Sequence, residues 1–87
     1  MFPQELEGAK ILYYTADGDY GDIFNSRGEV VDCVRYMAIG QYPRDKKFYL
    51  FRCNKDYNVA VKWADKTLEE SMARGAGARL DVQWIEA

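Results

Sequence analysis

Phe48-Tyr49-Leu50-Phe51-Arg52-Cys53, followed by Asn54-Lys55-Asp56 and Tyr57-Asn58-Val59-Ala60-Val61-Lys62-Trp63, is the stretch on which the fold turns. Its first six residues have the aromatic-rich composition of a strand. Side chains alternate across a strand, so Tyr49, Phe51 and Cys53 point one way while Phe48 and Leu50 point the other. Both faces are therefore apolar. Asn54-Lys55-Asp56 is a turn, and the segment after it alternates with apolar residues at the odd positions, as a half-buried strand does.

Upstream, Tyr42-Pro43-Arg44-Asp45-Lys46 is a turn in which Pro43 fixes φ. Before it, a strand runs from Glu29 to Ile39 or Gln41, with Val31, Cys33, Met37 and Ile39 opposing Val30, Val34, Tyr36 and Ala38. Asn25-Ser26-Arg27-Gly28 fits a type I turn followed by a left-handed glycine, which joins that strand to a short one at Asp22-Ile23-Phe24. Asp17-Gly18 breaks an earlier strand over 10–15, where Ile11 and Tyr13 oppose Leu12 and Tyr14.

Downstream the pattern changes. Thr67-Leu68-Glu69-Glu70 is a capping box, with two acids in the first turn where the helix dipole favours them. Arg74 and Gly75 supply a stop, so the spacing predicts one short helix over about 68–74. Gly75-Ala76-Gly77 is a joint, and Leu80-Asp81-Val82-Gln83-Trp84-Ile85 alternates as a closing strand. The predicted fold is α+β: a small antiparallel meander of five to six strands, one C-terminal helix and a closing strand, in a single domain over 1–87. A helix of that length spans only about 10 Å. Its apolar stripe is Leu68 and Met72, enough for part of one sheet face. The other face must be covered by the sheet curling on itself or by a partner.

The 87 residues include four Phe, seven Tyr and two Trp, and no His. No apolar run approaches the roughly 20 residues of a membrane span. The acidic start, Met1-Phe2-Pro3-Gln4-Glu5-Leu6-Glu7, lacks the order of a secretory signal, so the chain reads as complete and cytoplasmic. Charge is unevenly divided. Residues 1–32 carry seven carboxylates (Glu5, Glu7, Asp17, Asp19, Asp22, Glu29, Asp32) against Lys10 and Arg27. Residues 33–66 carry eight bases (Arg35, Arg44, Lys46, Lys47, Arg52, Lys55, Lys62, Lys66) against Asp45, Asp56 and Asp65. Such a dipole steers charged partners.

The chemistry of catalysis finds little support. Asp17-Gly18-Asp19-Tyr20-Gly21-Asp22 resembles the start of a calcium loop, but position 5 is Gly21, position 6 is Asp22 and position 12 is Gly28, where Asp or Asn, Gly and Glu belong. It reads as a solvated acidic turn. The glycines do not form GxGxxG, and Gly75-Ala76-Gly77 follows a helix instead of opening one. Cys33 and Cys53 have neither CxxC spacing nor a histidine, so they make no zinc site and lack the usual activating base. They read as buried, inert thiols that a disulfide would join only in an oxidising compartment. Glu69 and Glu70 are neighbours on a helix and cannot face each other across a substrate. The expectation is a protein that is not an enzyme, with no metal site and no cofactor.

The reading that remains is a non-catalytic protein-binding domain: a small inhibitor or immunity-type protein, or a homodimer using an aromatic sheet face. On this reading the 36–52 hairpin makes the contact, with Tyr36, Tyr42 and Phe48 as anchors and Arg44, Lys47 and Arg52 as a charged rim. The alternative is single-stranded nucleic-acid binding through the basic aromatic hairpin 42–55, where rings stack on bases and cations meet phosphates. The overall pI near 5.0 weighs against that alternative.

Overall fold

The computed structural model of the chain describes residues 2–77 and 81–87. Its elements are β1 (Glu5–Leu6), β2 (Ala9–Tyr14), β3 (Asp22–Phe24), β4 (Val30–Cys33), β5 (Tyr36–Gln41), β6 (Phe48–Cys53), β7 (Val59–Asp65), α1 (Leu68–Ala76) and β8 (Ile85–Glu86). The decisive stretch lies at the centre of the main sheet. There β6 pairs antiparallel with β5 and β7, and Leu50 sits between Ile39 and Trp63. Among the described residues the sheet runs β1-β2-β5-β6-β7, with β8 also against β2, while β3 and β4 form a separate two-stranded sheet. This is the α+β meander with one helix that the sequence predicts.

Neighbouring residues of β6 are buried in opposite cores. Leu50 joins Val34, Met37 and Ile39. Phe51 joins Phe2, Leu6, Ala9, Ile11, Ala38 and Cys53. The helix covers the first of these. Thr67 caps it, accepting the Glu70 N–H at 3.1 Å and donating its own hydroxyl to the Glu70 carboxylate at 3.3 Å. Leu68 and Met72 pack against this core from a half-buried position, while the fully buried line on the helix is Ser71 and Gly75, one turn apart. Small residues there let the helix backbone approach the sheet.

Gly75 is therefore not the stop that the sequence suggests. It lies inside the helix, and a Cβ there would sit 2.9 Å from Trp84 Cζ2 and 3.2 Å from Leu50 Cδ1. The helix ends at Gly77, whose φ of 57° is left-handed and whose N–H returns to the Ala73 carbonyl at 3.0 Å. Asp65, at the end of β7, fastens the helix to the sheet. It accepts from Ser71 Oγ at 3.1 Å, from Arg74 Nη2 at 2.8 Å and from Arg74 Nε at 3.0 Å.

The second core is closed by the N-terminus. Glu7 and Gly8, with φ of 49° and 86°, form the two-residue turn between β1 and β2. Positive φ at both positions is the type I′ geometry. From β1 the chain reaches back until the Phe2 ring stacks on Tyr14 at 5.0 Å and meets Tyr57 edge-on at 5.2 Å and Tyr36 at 5.8 Å. Tyr57 belongs to the β6–β7 loop, beside the far edge of the sheet, so the chain folds across its own second face.

Three expectations change in detail. The strand expected from Glu29 onward breaks at Val34–Arg35, because β4 pairs only with β3 while β5 pairs with β2 and β6. At the break Val34 donates to the Gly21 carbonyl and Arg35 to the Cys53 carbonyl. The closing strand contracts to β8. Residues 81–84 carry no strand, Leu80 lies outside the described residues, and Val82 and Trp84 pack into the helix-side core. Finally, Ile11 and Tyr13 do not share a face: Ile11 and Tyr14 pack in the N-terminal core and Tyr13 against the helix-side core, because a bulge between them shifts the register. β1 pairs with the first half of β2 and β8 with the second, and the switch falls at the bulge around Leu12.

Gly75→Ala should destabilise the protein by about 1–3 kcal/mol, the usual range for overpacking a core, read as a lower urea midpoint. Acid unfolding gives a second check. Arg74 and Ser71 hold the Asp65 carboxyl below its ordinary value. That contribution is present above the unfolded carboxylate range and is lost as pH falls through the folded value. Asp65→Asn should remove it, flattening the acid limb of stability against pH and leaving the neutral and alkaline portion parallel to wild type.

Candidate interaction surface

The β3–β4 hairpin stands apart from the main sheet. Asn25 builds its tip: Oδ1 accepts from the N–H groups of Arg27 at 2.9 Å and Glu29 at 3.0 Å, while Gly28, with φ of 78°, donates to the Asn25 carbonyl. This is the type I turn with a left-handed glycine that the sequence announces. The base is firmly held. Tyr20 and Val34 are joined by a backbone bond of 3.0 Å, and Gly18 bonds to the Arg35 carbonyl at 3.0 Å. Arg35 grips Asp17 through Nε at 2.7 Å and Nη2 at 2.6 Å, and Asn54 donates to Asp32 at 3.1 Å. Ile23 alone of the hairpin's apolar residues packs into the helix-side core.

Beyond that base the hairpin projects with large apolar side chains in water. Phe24 is 59% exposed, Val30 57% and Val31 59%. Phe24 and Val30 are direct cross-strand partners, and Val31 sits at the bulge beside them. Asp22, Glu29 and Asp32 flank the patch, with Arg27 at the tip. Asp32 is held below its usual range by the Cys33 N–H and by Asn54. The result is an exposed apolar patch with carboxylates beside it, on a hairpin whose base is hydrogen-bonded to the rest of the chain.

The six residues singled out in the sequence are placed as follows. Tyr36 and Tyr42 pack against the N-terminal core, whereas Phe48 packs on the helix-side core. Arg52 shares the helix side with Trp63: its guanidinium lies 5.8 Å from that ring and donates to the Tyr20 carbonyl at 3.1 Å. Its Nε is buried without an acceptor among the described residues, and desolvation lowers its pKa. Arg44 and Lys47 are exposed on the β5–β6 turn, Arg44 at a left-handed φ of 65°. The structure thus gathers these residues into no single face.

The rings of 42–55 are already engaged. Tyr42 meets Tyr49 edge-on at 4.9 Å, and Lys62 Nζ donates to the Tyr42 hydroxyl at 3.0 Å, which raises the lysine's pKa. The Tyr49 hydroxyl donates to Asp45 at 2.6 Å, holding that carboxyl low and the phenol high. A depression of about 290 Å³ beside Tyr42 includes Glu5 and Lys10, a cross-strand pair of opposite charge. Among the described residues no cluster of three or more His, Cys, Asp or Glu could hold a metal ion.

Sequence reasoning missed Phe24, Val30 and Val31, because alternation shows that a strand has faces without showing that it leaves the sheet. The available signal was length. A three-residue strand between Gly21 and Asn25 is too short to span the sheet beside six-residue neighbours. No known protein family matches this chain, and neither does any curated protein or solved structure.

Both cysteines are free, Cys33 half-buried and Cys53 fully buried. Burial, with the charge of Glu7 adding to it, pushes the Cys53 thiol up to about 12. Only the thiolate attacks. A chromogenic thiol reagent at neutral pH should therefore label Cys33 alone in the native protein, and Cys53 only once denaturant is added. Rapid labelling of both in buffer would contradict the sealed core.

Proposed function

We propose that this chain is a non-catalytic protein-binding domain that makes contact through the β3–β4 hairpin. One observation carries the reading: Phe24, Val30 and Val31 stay more than half exposed on an element whose base is pinned by backbone bonds and by the Asp17–Arg35 pair. Exposed apolar side chains contribute little to the stability of their own fold, and their transfer from water becomes favourable only when something covers them. A pinned base also limits the conformational entropy lost on binding. A projecting hairpin enters a partner's groove as a small inhibitor's does, and the carboxylates beside it favour a groove with a basic rim. The analogy to inhibitors rests on size and shape alone.

The experiment is affinity capture from source-cell lysate in the presence of nuclease, with wild type and the double variant Phe24→Ser/Val31→Ser as baits. Both side chains are exposed, so the variant should unfold within about 0.5 kcal/mol per substitution of wild type. A protein held by wild type should be lost from the variant, and the isolated complex should weaken at least about thirtyfold, as removal of a hot spot does. Equal recovery on both baits would overturn the hairpin's role. Recovery that disappears with nuclease would overturn protein binding in favour of single-stranded nucleic acid.

A further inference from the structure

The two edges of the main sheet are treated differently. The outer edge of β2 is covered along its length, by β1 at Lys10 and Ala9 and by β8 at Tyr13 and Tyr14. The other edge is β7, which among the described residues pairs with β6 alone. Seven residues of strand thus end the sheet there, and Ala60, Val61, Lys62 and Ala64 are all exposed. An unpaired edge presents a row of backbone donors and acceptors to any strand that fits. Proteins guard such edges with charge, and β7 has Lys62 for the purpose. That lysine is turned onto the tyrosine face instead, its ammonium 5.2 and 5.8 Å from the Tyr42 and Tyr49 rings.

We infer that β7 pairs antiparallel with β7 of a second copy, extending the main sheet across a twofold axis. Such an axis sets each surface against itself. The acidic hairpin and the basic β5–β6 turn repel their own copies, whereas the exposed edge of β7 carries one charge. Register settles where that charge goes. With the axis at Val61, Lys62 faces Ala60 of the other copy; with the axis at Trp63, it faces Ala64. Both registers keep the two lysines from meeting and leave each long side chain beside a small one. On the helix side, the axis at Val61 sets the two valines against each other, and the axis at Trp63 sets the two indoles against each other beneath Arg52 and Arg74; either covers a valine that is 37% exposed in the single chain. This contact is separate from the β3–β4 hairpin and stands or falls independently of it.

The test is absolute mass in solution, by light scattering and sedimentation, over micromolar to millimolar protein. Wild type should approach twice the 10.1 kDa protomer mass. Val61→Glu sets carboxylates against each other at the axis or against Asp65, and should raise the dimer dissociation constant at least about a hundredfold. Within one chain the new carboxylate lies opposite Arg52, so the fold is retained. Ala64→Lys, on the other face of the same edge, provides a second variant with the same expected direction. Circular dichroism and the urea midpoint establish that each variant is folded. A wild-type mass of one protomer at every concentration overturns the inference. So does a dimer that survives in both folded variants, because its contact lies elsewhere.

Discussion

Leu50 and Phe51 are adjacent in sequence, both 0% exposed, and directed into opposite cores. The rest of the molecule answers that constraint. A sheet buried on both sides must be covered twice, and a chain of this length has little to do it with. Helix α1 is nine residues, about 14 Å, and covers one side only because Ser71 and Gly75 let it lie close. The other side is closed by Phe2 and Leu6, which a tight turn at Glu7-Gly8 folds back onto β2.

The same need explains a strained residue. The loops at Asn25–Glu29 and Asn54–Asn58 are built alike: each asparagine accepts two backbone N–H groups through Oδ1, and a left-handed residue follows at the fourth position. The first loop uses Gly28 there. The second uses Tyr57 at a φ of 62°, at a steric cost of about 1–2 kcal/mol that glycine would avoid. The tyrosine is held because its ring lies 4.7 Å from Tyr36 and 5.2 Å from Phe2, completing the aromatic lid of the second core. Loop geometry gives way to core coverage.

Much of this was legible in the sequence, and what was not has physical causes. Period-two alternation in 48–53 fixed β6 to the residue, and Asn25 with Gly28 announced the hairpin turn. The capping box at Thr67 located the helix start. The helix end was misjudged because glycine serves two purposes: Gly77 supplies the left-handed φ, while Gly75 supplies only the absence of a Cβ beside Trp84. β1 escaped notice because Glu-Gly is a poorer type I′ signal than Asn-Gly. The candidate site was least legible of all. Tyr36, Tyr42, Phe48 and Arg52 have the chemistry of contact residues, yet strand parity sends two to each face. Phe24, Val30 and Val31 look like core residues until topology shows that their two strands pair only with each other.

Among the described residues, the two-faced sheet leaves the β3–β4 hairpin and the β7 edge uncovered, and these make different demands. On the proposed reading, the acidic flanks of the hairpin disfavour pairing with its own copy and favour a foreign partner of opposite charge. The β7 edge, nearly uncharged, suits self-pairing. A twofold contact at β7 would present two hairpins from one rigid extended sheet. A partner offering two matching grooves would then be held by avidity, its second contact formed at the effective concentration that the sheet's geometry sets. Stiffness decides the gain. In such a dimer the Asp17–Arg35 pair and the backbone bonds at each hairpin base would limit the range of tip-to-tip spans, and a partner with the wrong spacing would gain nothing from the second hairpin.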